Sequence, residues 1–129
     1  MKYAIVDIET TGGSAKTRGI TEIGIVVTDG QKELDRWSSL INPYELIPPR
    51  IEALTGITND MVADAPSFPD IAEKVEFMLR DCVFVAHNVG FDYAFIRGHF
   101  EAMGQSWRRP KLCTVRLSRK AFPGLPRYG

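Results

Sequence analysis

The sequence predicts an α/β domain in which helices flank a mixed sheet. Three apolar runs rich in β-forming residues come first, and strand-like and helix-like patterns then alternate from residue 67 to residue 121. Strands joined by short turns pair antiparallel, whereas strands separated by a helix pair parallel. This order therefore predicts a three-stranded antiparallel meander that is continued by parallel strands. The length of 129 residues suits one hydrophobic core, so we expect a single domain over residues 1–129.

The strands of the meander are predicted at Tyr3–Ile8, Ile20–Thr28 and Glu33–Ile41. The first is an almost unbroken apolar run, which is typical of a central strand that is buried on both faces. Asp29-Gly30 is a turn signal between the second strand and the third. We therefore expect these strands to be neighbours in the sheet.

The segment from residue 42 to residue 69 contains too many prolines for long regular elements. It leaves room for short helical turns, one of which is expected to end at Gly56. Ser67 and Asp70 then form a capping-box pattern at the start of a helix that should end near Arg80. The apolar positions of this helix repeat with helical spacing: Ile71, Val75, Met78 and Leu79.

Shorter runs predict the second half of the sheet. Val83–Ala86 is an apolar strand, and Leu112-Cys113 is a second, very short one. Between them lies a helix that closes at Gly104, with an apolar stripe formed by Phe91, Phe95, Ile96, Phe100 and Met103. Thr114 is expected to cap a last helix that runs through Ala121.

The net charge of +0 conceals an uneven distribution of charge. Residues 1–101 carry 9 bases and 16 acids, whereas residues 102–129 carry 7 bases and no acid. The basic tail fits a nucleic-acid-binding face. It fits equally well a longer chain in which later acids balance these bases, and both interpretations stay open.

The remaining composition indicates a protein without a membrane segment. No apolar run is long enough to cross a bilayer, and nothing resembles a secretory signal. Cys82 and Cys113 lack metal-ligand spacing, so a disulfide is not expected and the reduced cytoplasm is the simpler compartment.

Two acids stand at positions i and i+2 of the first predicted strand. Because side chains alternate along a strand, Asp7 and Glu9 should point to the same face, roughly 6–7 Å apart along the backbone. Charged groups on a buried strand are costly unless they are paired or bind a metal ion. Carboxylates suit Mg²⁺ or Mn²⁺ better than Zn²⁺. We therefore expect a divalent cation here, against the alternative that two acids simply end the strand.

Two loop segments extend this candidate site. Thr10–Gly13 offers small residues and backbone N–H groups to which a nucleotide end could come close, although a plain strand-end turn would look similar. His87–Asp92 lies between a predicted strand and a helix, and Asp92 falls in the first helical turn, where an anion is favoured. Three carboxylates on adjacent strand ends would repel each other without metal between them. Asp92 is therefore expected to join the first two acids.

These segments carry a family resemblance. Asp7–Gly12 and His87–Asp92 resemble the first two motifs of the DEDD superfamily of 3'→5' exonucleases, and most of all its epsilon proofreading subunits of bacterial DNA polymerase III. Glu22–Gly24, Leu54–Thr58 and Cys113–Leu117 resemble further segments of that family. The resemblance implies a ribonuclease-H-like fold and release of nucleoside 5'-monophosphates from DNA 3' ends, in proofreading or repair. It also implies a replicative polymerase as a partner.

The resemblance further implies a role for each matching residue. Asp7, Glu9 and Asp92 would be the catalytic residues and the ligands of a two-metal site for Mg²⁺ or Mn²⁺. The substrate-binding residues would be Thr10, Thr11, Gly12, Leu54, Thr55, Asn88 and Phe91. Phe91 is the candidate for stacking on a base, although its place in the apolar stripe also fits a purely structural role.

The family's third motif, with its fourth aspartate and its general-base histidine, has no counterpart in the chain. We therefore expect an exonuclease domain that lacks its C-terminal portion, binds Mg²⁺ weakly and hydrolyses DNA poorly. His87 is expected to be structural and His99 solvent-exposed. Two alternatives stay open: a 3'→5' exonuclease that trims RNA, and a catalytically dead module that binds nucleic acid or a polymerase.

Overall fold

A computed structural model describes residues 1–12 and 19–113 of the chain. Within these two ranges, five strands form one mixed sheet: β1 (Lys2–Thr10), β2 (Ile20–Thr28), β3 (Glu33–Leu40), β4 (Cys82–Ala86) and β5 (Lys111–Cys113). The same residues form four helices: α1 (Pro49–Thr55), α2 (Asn59–Val62), α3 (Phe68–Leu79) and α4 (Val89–Ala102). The helix expected from Thr114 to Ala121 lies outside the described residues.

The strand order is β3-β2-β1-β4-β5, with β1 at the centre. β1 and β3 pair antiparallel with β2, whereas β4 pairs parallel with β1 and with β5. The predicted meander with a parallel extension is therefore confirmed. In the β2–β3 turn, the Asp29 carboxylate accepts hydrogen bonds from the backbone N–H groups of Gln31 and Lys32, and Gly30 takes a left-handed conformation with φ of 94°. These features make Asp29-Gly30 the turn that the sequence indicates.

The proline-rich segment forms only short helices, as predicted. α1 ends at Gly56, whose φ of 78° is the left-handed conformation that glycine adopts without strain. At the start of α3, the Ser67 hydroxyl accepts the Asp70 backbone N–H at 3.3 Å, and the Asp70 carboxylate accepts the Ser67 N–H at 3.0 Å. The capping box is therefore confirmed.

The main core lies on one side of the sheet. Alternate residues of β1, Ala4, Val6 and Ile8, are buried there beneath α3 and α4. Both helices bury most of the apolar stripe that their spacing predicts, although Ile71, Phe91 and Met103 are only half-buried. A separate small cluster under α1 and α2 consists of Ile47, Ile51, Ile57 and Val62. This cluster fixes α1 beside the end of β1.

The prediction that the first strand is buried on both faces is wrong. Ile5 is 43% exposed, and Asp7 on the same face is also exposed. Within the described ranges, α3 and α4 cover the opposite face, and an apolar run cannot reveal which face a second layer will cover. The desolvation argument for a cation at Asp7 therefore loses its force, and the case depends on how Asp7 sits relative to the other acids.

Candidate active site

The end of β1 presents two carboxylates on the open face of the sheet. Asp7 pairs with Gly24 across the ladder, and Glu9 pairs with Glu22. Alternation puts both acids on the face opposite the core, as their spacing predicts. Burial raises the pKa of Glu9, and the charges of Asp7 and Glu22 raise it further. The acids Asp7, Glu9 and Glu22 therefore concentrate negative charge at this strand end.

Asp92 reaches the same place from the first turn of α4. Its side chain is buried, with 7% of the residue exposed, and backbone N–H groups of Ile8 and of Asp92 itself hydrogen-bond to the carboxylate. Burial, followed by the negative charge of Asp7, raises the pKa of Asp92 to about 6, and Glu9 contributes in the same direction. The hydrogen bond from the Ile8 backbone N–H thus brings Asp92, the third acid, to the end of β1.

The chemistry of these three groups fits a divalent cation. Carboxylate oxygens are the ligands that Mg²⁺ and Mn²⁺ prefer, and a cation between these like charges would relieve their mutual repulsion. Within residues 1–12 and 19–113, however, no three Asp, Glu, His or Cys side chains are arranged as a ready-made metal cage. Asp7, Glu9 and Asp92 as metal ligands therefore stay a prediction.

A cleft of about 300 Å³ opens beside Glu9. It lies between the end of β1, one side of α1 and the start of α4. Predicted residues from three separate parts of the chain line it: Glu9, Thr10, Gly12, Leu54, Thr55 and Phe91. Arg50, which the sequence analysis did not single out, also lines it. The structure thus brings most of the expected substrate contacts to one surface.

The surroundings of Phe91 fit both of the roles that the sequence left open, and stacking on a base stays a prediction. Its side chain is half-buried and packs against Phe95, with 4.8 Å between the ring centroids. It also lines the cleft. Leu54, on the opposite wall, is 77% exposed, so two apolar side chains face the space where a base could lie.

Thr11 and Asn88 lie away from the cleft lining. Thr11 is 1% exposed; its hydroxyl donates to the Glu45 carboxylate at 2.9 Å and accepts the Gly19 backbone N–H at 3.1 Å. These bonds fix the loop and leave no side-chain surface for substrate. Asn88 is exposed at the start of α4, where its carbonyl accepts the Asp92 backbone N–H at 3.2 Å.

The two histidines are both outside this constellation of acids. His87 is exposed one residue beyond β4. The prediction that His99 is solvent-exposed is wrong: it is half-buried, its ring packs on Phe68 at 4.9 Å, and Nδ1 lies 2.8 Å from the Phe95 carbonyl oxygen. The packing of α3 against α4 covers this side chain, and the polar residues beside it in the sequence do not show that contact.

Sequence comparison now decides the family. The model of the RNase T exonuclease family matches residues 4–129. The chain belongs to this exonuclease family. It is 39% identical over 122 residues to the 3'-5' exonuclease DinG of Staphylococcus aureus (strain MRSA252), a match that covers 94% of this chain and 14% of that protein. The chain thus spans only a small part of that relative's length.

Solved structures confirm the fold. Exonuclease X in complex with 5' overhanging duplex DNA superposes with a TM-score of 0.79 and 30% identity, over 98% of this chain and 68% of that one. A structure of exonuclease I superposes with a TM-score of 0.87 over 99% of this chain and 33% of that one, and its 16% identity bears on the fold alone. The exonuclease domain therefore has the predicted ribonuclease-H-like α/β fold. No helix in the two described ranges is long and apolar enough to cross a membrane.

Proposed function

We propose that residues 1–129 act as one metal-dependent 3'→5' exonuclease domain that removes nucleoside 5'-monophosphates from DNA ends. The observation that carries this proposal is the position of Asp92. It is a buried carboxylate, hydrogen-bonded to the backbone between Asp7 and Glu9, and its pKa is raised to about 6. Buried acids with strongly shifted pKa values beside a cleft are typical of catalytic sites.

The three acids share one role in this proposal, which is to hold the cation. Asp7, Glu9 and Asp92 would hold Mg²⁺ or Mn²⁺, which would stabilise the charge that develops on the phosphate during an in-line displacement. With a pKa of about 6, Asp92 is largely ionised at pH 7.5 and largely protonated at pH 5. The site therefore gains its full negative charge, and with it its attraction for a cation, only above about pH 6.

The cleft provides substrate binding without base selection. Leu54 and Phe91 face the space for a terminal base with apolar and aromatic surfaces, which every base can contact. Thr10 and Gly12 form the wall nearest Glu9, where the Thr10 hydroxyl donates to the Gly12 carbonyl at 2.6 Å. This lining suits proofreading or repair, in which any nucleotide must be removed.

DNA is the proposed substrate because DinG is named a 3'-5' exonuclease and the 30%-identical exonuclease X structure contains duplex DNA. RNA trimming is the alternative outcome of the test. A replicative polymerase as partner has its support in the motif resemblance alone, since neither of these two relatives is named as a polymerase subunit.

The test uses the native polypeptide that carries these residues. With Mg²⁺ or Mn²⁺, 5'-labelled single-stranded DNA should shorten one nucleotide at a time from its 3' end, and EDTA should stop the reaction. Asp92→Asn should lower kcat by about 100-fold or more, because a ligand of the cation that stabilises the transition state is lost. The exposed Asp64→Asn is the matched control and should retain full activity.

The outcomes separate the candidate functions. Equal loss of activity in both variants, or an Asp92→Asn variant as active as the wild type, would contradict the proposal. Degradation of an RNA oligonucleotide in preference to DNA of the same sequence would make the protein an RNA-trimming exonuclease. Binding of DNA without degradation under all metal conditions would identify a binding module.

A further inference from the structure

In residues 1–12 and 19–113, one base lines the candidate cleft, and it is Arg50. Arg50 lies on α1, lines the cleft together with Glu9 and Phe91, and is exposed. Within the part of the chain that the structure describes, the ion pairs do not include Arg50, and no acid lies within 4.0 Å of its guanidinium nitrogens. The guanidinium therefore faces the cleft with its hydrogen-bond donors available to a ligand.

The surrounding charge makes this position important. Residues 1–101 carry 9 bases and 16 acids, so this part of the domain repels a polyanion overall. Other described bases lie elsewhere: Arg80 and Arg109 line a groove near Met1, and Arg97 and Lys111 line one beside α4. A nucleic-acid strand that enters the cleft thus meets Arg50 as its cationic contact among the described lining residues.

The geometry of α1 aims Arg50 and Leu54 at the same space. They are four residues apart, so their side chains lie on one face of the helix. α1 is held from behind by Ile51, which is buried in the small cluster, and by the Glu52 carboxylate, which accepts the Asn59 backbone N–H at 2.8 Å. The cation and the apolar side chain are therefore presented on a fixed support.

We propose that Arg50 binds a phosphate of the substrate strand other than the one that is cleaved. This inference rests on the proposed function and adds a substrate-positioning residue to it. The cleaved phosphate must lie beside Asp7, Glu9 and Asp92, whereas Arg50 lines the cleft from a separate element, α1. A guanidinium can donate two parallel hydrogen bonds to a phosphate, which fixes the strand without reading its bases.

The variant Arg50→Gln of the native polypeptide tests the proposal, because the loss of a substrate-positioning contact should change KM and leave kcat nearly unchanged. We expect KM for single-stranded DNA to rise about 10-fold, since a charge-assisted hydrogen bond is lost, while kcat changes less than about twofold. The slope of log KM against log salt should fall by about 0.7, the value for one phosphate contact on a single strand. Arg50→Lys should recover part of the affinity. Lys32→Gln, an exposed base in the β2–β3 turn at the other end of the sheet, should change neither constant.

Oligonucleotides with one neutral linkage identify the phosphate that Arg50 contacts. Each DNA oligonucleotide of a series carries one methylphosphonate, and its position near the 3' end differs from one oligonucleotide to the next. In the wild type, neutralising one linkage other than the last should raise KM about as much as Arg50→Gln does. In Arg50→Gln, the same substitution should add nothing, because the contact is already absent.

Binding in EDTA, measured by fluorescence anisotropy, distinguishes the two possible failures. If the wild type neither binds nor degrades DNA, the proposed function fails and this inference fails with it. If the wild type degrades DNA but Arg50→Gln keeps its KM, or loses kcat alone, only the role of Arg50 is overturned. Equal methylphosphonate penalties in the wild type and in Arg50→Gln would overturn it as well.

Discussion

At the scale of single residues, the charge of the site depends on whether Asp92 is protonated. Asp92 has a pKa of about 6 in the folded chain, compared with an ordinary value of 3.8, because it is buried and lies near Asp7 and Glu9. A carboxyl group with a raised pKa binds its proton more tightly in the folded state than in the unfolded state. The protonated Asp92 carboxyl group therefore makes its full contribution to the free energy of unfolding below about pH 4. This contribution is lost as the pH rises through 6.

This titration predicts a pH-dependent stability in the absence of metal. In EDTA, the melting temperature of the wild type should fall between pH 5 and pH 7, as Asp92 loses its proton. Asp92→Asn should remove most of that fall. Calorimetric melting across this pH range checks the prediction. A wild type and a variant with parallel pH profiles would contradict it.

At the scale of elements, the two loops beside the cleft are joined by a tight contact. Gly19 packs against Pro43, so a Cβ at position 19 would lie 2.6 Å from the Pro43 Cβ. The Gly19 backbone also exchanges hydrogen bonds with Thr11, whose backbone N–H donates to the Gly19 carbonyl at 3.0 Å. The approach of the residue 43–47 segment to the end of β1 therefore requires glycine at this position.

Gly19→Ala should destabilise the fold by about 1–3 kcal/mol, because the added methyl group displaces Pro43. Gly24→Ala is the matched substitution. Its Cβ would lie 4.0 Å from the Asp7 carbonyl oxygen, so we expect it to be neutral or stabilising by about 0.5–1 kcal/mol. Chemical denaturation of both variants measures the difference. Equal free energies of unfolding would show that the contact with Pro43 relaxes without cost.

At the scale of the whole molecule, the features that depend on local sequence could be predicted. The Asp29-Gly30 turn, the Ser67 capping box and the helix stop at Gly56 each depend on a few adjacent residues, and each is present. The strand order follows from the connections between these elements. Recognition of the two acidic motifs then placed most of the cleft-lining residues.

The features that the sequence did not predict depend on register and on long-range packing. A register shift between Glu9 and Thr10 accompanies a change in the alternation, so that Thr10 and Thr11 are both buried. Glu22 reaches Glu9 only through the antiparallel pairing of two strands. Arg50 faces the cleft because the packing of α1 places it there. These three features depend on residues that are distant in the sequence, so no pattern of adjacent residues predicts them.

Titration calorimetry of Mn²⁺ binding at pH 6 and pH 7.5 shows whether Asp7, Glu9 and Asp92 form one cation site. The wild type should bind Mn²⁺ and release more protons at pH 6, where Asp92 is partly protonated, than at pH 7.5. Asp92→Asn should bind at least about 10-fold more weakly, whereas the exposed Glu73→Gln should bind normally. Equal affinity of Asp92→Asn and the wild type, with no extra proton release at pH 6, would contradict the account.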